Sequence, residues 1–162
     1  MASEQPAVIH MQAGADYLAA LQKLGLDPEC LFWAEDEIVG HPVLVLVTRQ
    51  FDRAGPLSLS RLLFKAYNAA ATPREIDPFV LRLHSPEQAI IHELAKIVAM
   101  DVKIANADGS MADWAKFNIS GGGLKFEPAW IYKWNISSKK PSTVVMSKQW
   151  RRFTENVDRL AA

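Results

Sequence analysis

The stretch CLFWAEDEIVGHPVLVLVT, residues 30–48, decides the fold. Two apolar runs, Cys30 to Trp33 and Ile38 to Thr48, flank the acidic turn Glu35-Asp36-Glu37. Short runs rich in Val, Ile, Leu and aromatic residues, joined by a polar turn, predict paired strands. Gly40 and Pro42 complicate the start of the second strand, so a bulge or an edge position is expected there.

On the N-terminal side, residues 1–12 read as a loose start. Tyr17, Leu18, Leu21 and Leu24 then recur at helical spacing, and Gly25 is placed to stop that helix, with Pro28 following. On the other side, Gln50 to Gly55 reads as a loop and Pro56 as the start of a helix. The buried face of that helix is expected to be Leu59, Leu62, Leu63, Ala66, Tyr67 and Ala70. Thr72-Pro73 ends it, because the residue before proline is pushed out of the helical region. Phe79 to Leu83 alternates as a short strand. Ser85-Pro86-Glu87-Gln88 then predicts a reciprocal cap between Ser85 and Gln88 with Pro86 at the first helical position. Ile90, Ile91, Leu94 and Val98 continue that helix.

Further strands are expected at Asp101 to Ala105, Trp114 to Ile119 and Leu124 to Ile136. The turns between them are Asp108-Gly109 and Gly121-Gly122-Gly123. Along the last strand Trp130, Tyr132, Trp134 and Ile136 should face one way, and Ile131, Lys133 and Asn135 the other. A final helix carries Met146, Trp150, Phe153, Val157 and Leu160 on one stripe. The fold class that follows is α+β. A mainly antiparallel, twisted sheet of about five to six strands is packed by about four helices, in a single domain spanning 1–162. Phe79 to Leu83, lying between two helices, leaves room for a mixed sheet.

The charges are unevenly laid out. Residues 1–37 carry seven acids (Glu4, Asp16, Asp27, Glu29, Glu35, Asp36 and Glu37) against Lys23 alone. Residues 124–152 carry seven bases (Lys125, Lys133, Lys139, Lys140, Lys148, Arg151 and Arg152) against Glu127 alone. The two ends are therefore −6 and +6 inside a chain of net charge zero. Such a chain can pair with itself, with a copy of itself, or with an anionic partner.

Composition narrows the function classes. Cys30 is the single cysteine, so neither an intrachain disulfide nor a cysteine zinc cluster is available. The first residues lack the basic-then-apolar pattern of a secretory signal, and the longest aliphatic run, Pro42 to Val47, is too short for a membrane span. A cytoplasmic location is expected, with no membrane partner, metal or cofactor.

Several motif fragments fail on their own chemistry. His92-Glu93-Leu94-Ala95-Lys96 has Lys96 where a zinc-protease motif needs its second histidine. Asn106 to Ser110 resembles part of a calcium loop, but Ala115 stands where a carboxylate is required. The three glycines 121–123 lead into a strand and lack the Lys-Ser/Thr ending of a phosphate loop. Lys116 to Ser120 is echoed by Lys133 to Ser137, as similar half-buried strands would be.

Two constellations remain. The first is basic and aromatic: Lys133, Lys139, Lys140, Lys148, Arg151 and Arg152 interleaved with Trp130 and Trp134. On a surface these could hold phosphates and stack bases. Alternatively Trp130 and Trp134 are core, and Arg151, Glu155 and Arg159 pair along the last helix. The second is a pocket near Arg53, Ser60, Arg82 and His84, fit for an acidic small molecule at strand ends and helix starts. Three functions follow. The leading expectation is a protein-interaction or adaptor domain, self-associating as a homodimer or binding another protein through charged and aromatic surfaces. The others are a nucleic-acid or phosphate binder, and a small enzyme using the second pocket.

Overall fold

The computed structural model describes residues 8–108, 119–136 and 139–162, and of 8–10 and 100–108 the backbone course alone. Among these residues it has five α-helices and a six-stranded mixed sheet. The helices are α1 Val8–Leu24, α2 Gln50–Ala54, α3 Pro56–Asn68, α4 Ala89–Asp108 and α5 Thr143–Ala161. The strands are β1 Cys30–Asp36, β2 His41–Val47, β3 Leu81–His84, β4 Ile119–Gly121, β5 Leu124–Phe126 and β6 Ile131–Trp134. The α+β expectation holds.

Stretch 30–48 supplies the centre. β1 pairs antiparallel with β2 from Cys30↔Val47 to Asp36↔His41 without a register shift. The turn falls later than expected, after Asp36. Its carboxylate accepts the backbone N–H groups of Ile38 (2.8 Å) and Val39 (3.2 Å), an Asx turn that keeps Asp36 in the strand. The bulge expected near Gly40 and Pro42 is absent. Pro42 instead sits beyond the pairing of β2 with β3, which begins at Leu44, so its missing N–H removes no bond to β3. β3 runs parallel to β2 at one edge of the sheet.

The other side of β1 is shared. β5 pairs with Glu35 and Asp36, and β6 with Cys30 to Phe32. The single strand expected over Leu124 to Ile136 is therefore two strands. Pro128 opens a short 3-10 turn, Pro128–Trp130, which loops out between them. A register shift between Leu31 and Phe32 leaves Tyr132 as an extra residue in β6. That bulge turns Tyr132 and Trp134 to opposite faces, contrary to simple alternation. Trp134 packs with Phe32 and Phe126 (ring centroids 5.5 and 6.5 Å). The Tyr132 hydroxyl instead accepts the Trp33 indole N–H (2.9 Å) and donates to the Met11 carbonyl on α1 (2.6 Å).

Other elements depart from the sequence reading. Residues 8–12 belong to α1 rather than to a loose start. Gln50 to Ala54 is a short helix. Phe79 lies in a 3-10 turn, Pro78–Val80, and is 82 % exposed, so the strand begins at Leu81. Asp101 to Ala105 is helical, because α4 runs on to Asp108. No breaker separates Val98 from Asp108, and extending an existing helix is easier than starting a strand. The Ser85 cap is half formed: Gln88 Oε1 accepts the Ser85 N–H (3.3 Å), but the Ser85 hydroxyl accepts from Glu87, and α4 starts at Ala89. Trp114 to Asn118, Gly109 and the first three residues of the echo's first copy lie outside the described residues, whereas Ile119 and Ser120 belong to β4.

The core is one cluster around Phe32, Leu44, Leu46, Phe126 and Phe153, all fully buried. α5 buries Met146, Phe153 and Val157 as expected, whereas Leu160 at its end and Ala70 after α3 are exposed. α4 covers the β4–β5 hairpin, with Leu94 and Ile97 over Gly121 and Ile90 over Gly122. Gly25 closes α1 at φ +106°, as its position predicted.

Candidate functional site at the strand ends

Four chain segments meet at one end of the sheet. β2 and β3 are parallel, so both leave there, at Val47 and His84. β1 begins there after Glu29, and β6 ends there at Trp134. Backbone bonds tie the segments together: Thr48 N–H to His84 O (3.0 Å), Glu29 N–H to Val47 O (2.8 Å) and Asn135 N–H to Glu29 O (2.8 Å). The N-terminus of α5 comes in beside them, capped by Ser142, whose hydroxyl accepts the Val145 N–H (3.2 Å).

A polar network fills this end. Arg49, only 9 % exposed, donates its backbone N–H to Glu29 Oε2 (3.0 Å) and its Nη1 to Glu87 Oε1 (3.1 Å). Its Nε lies 3.7 Å from Glu29 Oε1, and Lys140 Nζ lies 3.7 Å from Glu87 Oε1. Ser85, buried, donates its hydroxyl to Asp52 and accepts the Glu87 N–H (3.0 Å). Gln50, 1 % exposed, donates Nε2 to the Met146 carbonyl (3.0 Å), while its Oε1 is buried with no hydrogen-bond partner among the described residues. His84 and the Ser85 N–H both bond Gln88 Oε1.

Electrostatics follow from this packing. Burial pushes the Glu29 carboxyl above its ordinary range, against the opposing pull of Arg49. The hydrogen bond from Arg49 holds Glu87 below the usual carboxylate range. Burial holds His84 below the usual imidazole value and favours its neutral form.

The network faces a cavity of about 460 Å³, with Pro141 and Met146 as apolar wall and Thr143 at the helix start. Arg49, Arg53 and Lys140 line it against Asp52 and Glu87, a formal balance of +1. Arg53 has no ion-pair partner among the described residues. The arrangement offers an anion two reachable cations at the mouth, with acceptors on Asp52 and Glu87 for a neighbouring hydroxyl or ammonium group.

The second predicted constellation converges only in part. Arg53 lines the cavity and His84 lies in the network behind it. Arg82 is paired with Asp36, and Ser60 faces a different groove with Phe64 and Asn68 on α3. The basic-aromatic tract is dispersed. Trp130 is 8 % exposed and Trp134 packs into the core, which leaves the neighbouring cations without those two stacking surfaces. Lys133 is bound to Asp27 (2.6 Å), so the acidic N-terminal third does reach the basic tract within one chain. Lys140 belongs to the cavity. Lys139, Lys148, Arg151 and Arg152 are exposed, and no ion pair joins Arg151 to Glu155 or Glu155 to Arg159.

The sequence reading missed Glu29 and Glu87 as partners of Arg49, and Gln50 as the residue that ties this end to the Met146 carbonyl. Among the described residues, no group of three His, Cys, Asp or Glu side chains could hold a metal ion, and no helix is long and apolar enough to cross a membrane. No protein-family model, no curated protein and no solved structure matches this chain.

Proposed function

We propose that the protein binds a small acidic molecule, a carboxylate or phosphate of metabolite size, in the cavity at the ends of β2 and β3. The observation that carries this reading is the network in which buried Arg49 joins half-buried Glu29 to exposed Glu87, beside a cavity whose mouth holds Arg53 and Lys140. Such ion pairs contribute little net stability, because desolvation offsets the attraction at Glu29 and solvent screens it at Glu87. Their value here is to fix Glu87 and Arg49 in place before a ligand arrives, which lowers the ordering cost of binding. Crevices beyond the carboxyl ends of parallel strands are also where open sheets commonly take ligands. The start of α5 adds a positive dipole end to the same mouth. A cytoplasmic location, expected from the sequence, belongs to this proposal.

The test is a thermal-shift panel of small carboxylates and phosphates at low ionic strength. At least one class should raise the melting temperature in a concentration-dependent way. Arg53→Gln should abolish that shift without lowering the melting temperature of the free protein, since the side chain is exposed and unpaired. A panel with no effect rejects the proposal.

Protein contact is a second reading. It is supported by β3, which has no strand on its outer side among the described residues, and by Phe79 and Ile38, 82 % and 83 % exposed. Strand addition at that edge would give a homodimer or a bound partner strand. Light scattering on the eluting protein distinguishes the two: a monomer at micromolar concentration removes the self-association form.

A further inference from the structure

A second cavity, of about 620 Å³, lies between α1 and α5 where the chain passes beyond the end of α3. Lys23, Arg152 and Arg159 line it, and among the described residues no carboxylate does. None of the three pairs with an acid among the described residues, although Glu155 is spaced one turn from Arg159. Leu24 and Leu160 give apolar wall, and the small residues Ala20, Ala70 and Ala71 leave the space open.

The cations are positioned. The stem of Arg152 runs over Gly25, where a Cβ would lie 3.1 Å from its Cγ. Gly25 at φ +106° therefore both ends α1 and seats that arginine. Asn156, one turn on, donates its amide to the Leu24 carbonyl (2.7 Å) and fixes α5 against α1. Arg159 follows on the same face.

Helix C-termini attract cations, and this cavity sits near the ends of α1, α3 and α5. Each end carries about half a negative charge, so three ends offset roughly one and a half of the three positive charges. An excess of about one and a half charges remains. We propose that this cavity is an anion site distinct from the one at the strand ends, and that it takes a small molecule bearing a phosphate monoester or diphosphate group. Such a group presents several acceptor oxygens and more than one negative charge, which two arginines and a lysine can share. A singly charged carboxylate would use the site less well.

The probe is inorganic pyrophosphate, titrated calorimetrically into the full-length Arg53→Gln/Lys140→Gln protein, in which the strand-end cavity is disabled. Saturable one-to-one binding is expected, weakening as salt rises. Adding Lys23→Gln and Arg159→Gln should weaken it by at least about tenfold. Both side chains are exposed, so the melting temperature of the free protein should hold. Unchanged affinity in that variant, or no saturable binding, overturns the proposal. So does loss of melting temperature without any pyrophosphate binding, which would mean that the cations serve the helix ends alone. Binding of a pentaglutamate peptide in place of pyrophosphate would make the cavity a protein-docking site and likewise overturn it. Because the strand-end cations are already replaced, failure here leaves that first site untouched.

Discussion

Gly14→Ala should destabilise this protein although it replaces a helical glycine with the best helix former. Gly14 is buried on α1 against Tyr132, and a Cβ there would lie 2.5 Å from Tyr132 Cε2 and overlap its hydroxyl end. The ring has little room, because its hydroxyl bonds both Trp33 (2.9 Å) and the Met11 carbonyl (2.6 Å). Overpacking of this kind costs about 1–3 kcal/mol. Losing the two hydrogen bonds adds about 1 kcal/mol each. The helix propensity gained is about 1 kcal/mol. The net expectation is a loss of about 2–4 kcal/mol, read from urea unfolding. The same substitution in a Tyr132→Ala background meets no ring, so its sign should invert to a gain of about 0.5–1 kcal/mol. If Gly14→Ala were neutral or stabilising in the wild-type background, α1 would not lie on the β6 bulge as described.

Phe153→Ala should cost about 3–5 kcal/mol, since the ring is fully buried on the inner face of α5; an unchanged denaturation midpoint would place that stripe outside the core. His84 gives a pH signature. Burial lowers its folded pKa, so the unfolded chain takes up this proton first. Its contribution is complete above about pH 6.5 and is lost as pH falls toward the folded value. His84→Gln should flatten the fall in urea midpoint between pH 7.5 and 5, and an identical slope would show that His84 is not held neutral. Ser85→Ala should cost about 1–2 kcal/mol, because it takes a buried acceptor from the Glu87 N–H and a donor from Asp52. In a double-mutant cycle with Asp52→Ala the two losses should fall short of additivity by at least about 0.5 kcal/mol, and strict additivity would deny the contact.

Much of the architecture was legible because it rests on local signals. The paired runs at 30–48, the stop at Gly25, the start at Pro56 and the stripe from Met146 to Val157 are all set by neighbours in sequence. The errors fall where tertiary context or a weak pattern decides. Val102 and Ile104 alternate over too short a span to outweigh a helix already under way. Pro128 splits a strand that alternation alone reads as continuous, and the Tyr132 bulge reverses the face of one aromatic residue relative to the next. The strand-end site was read in fragments. Arg53 and His84 stood in one candidate pocket, Ser85 in a cap and Lys140 in a basic tract. Only the parallel pairing of β2 with β3 joins them, and parallel pairing between strands more than thirty residues apart leaves no local mark.

The most direct test of the strand-end cavity is amide chemical-shift mapping of the ¹⁵N-labelled protein with succinate at low ionic strength. Saturable shifts should gather on Arg49 to Arg53, on Glu87, and on Lys140 and Thr143 to Met146, and should vanish in Arg53→Gln/Lys140→Gln. Shifts confined to other surfaces, with those amides unmoved for succinate and for inorganic phosphate alike, would contradict the account.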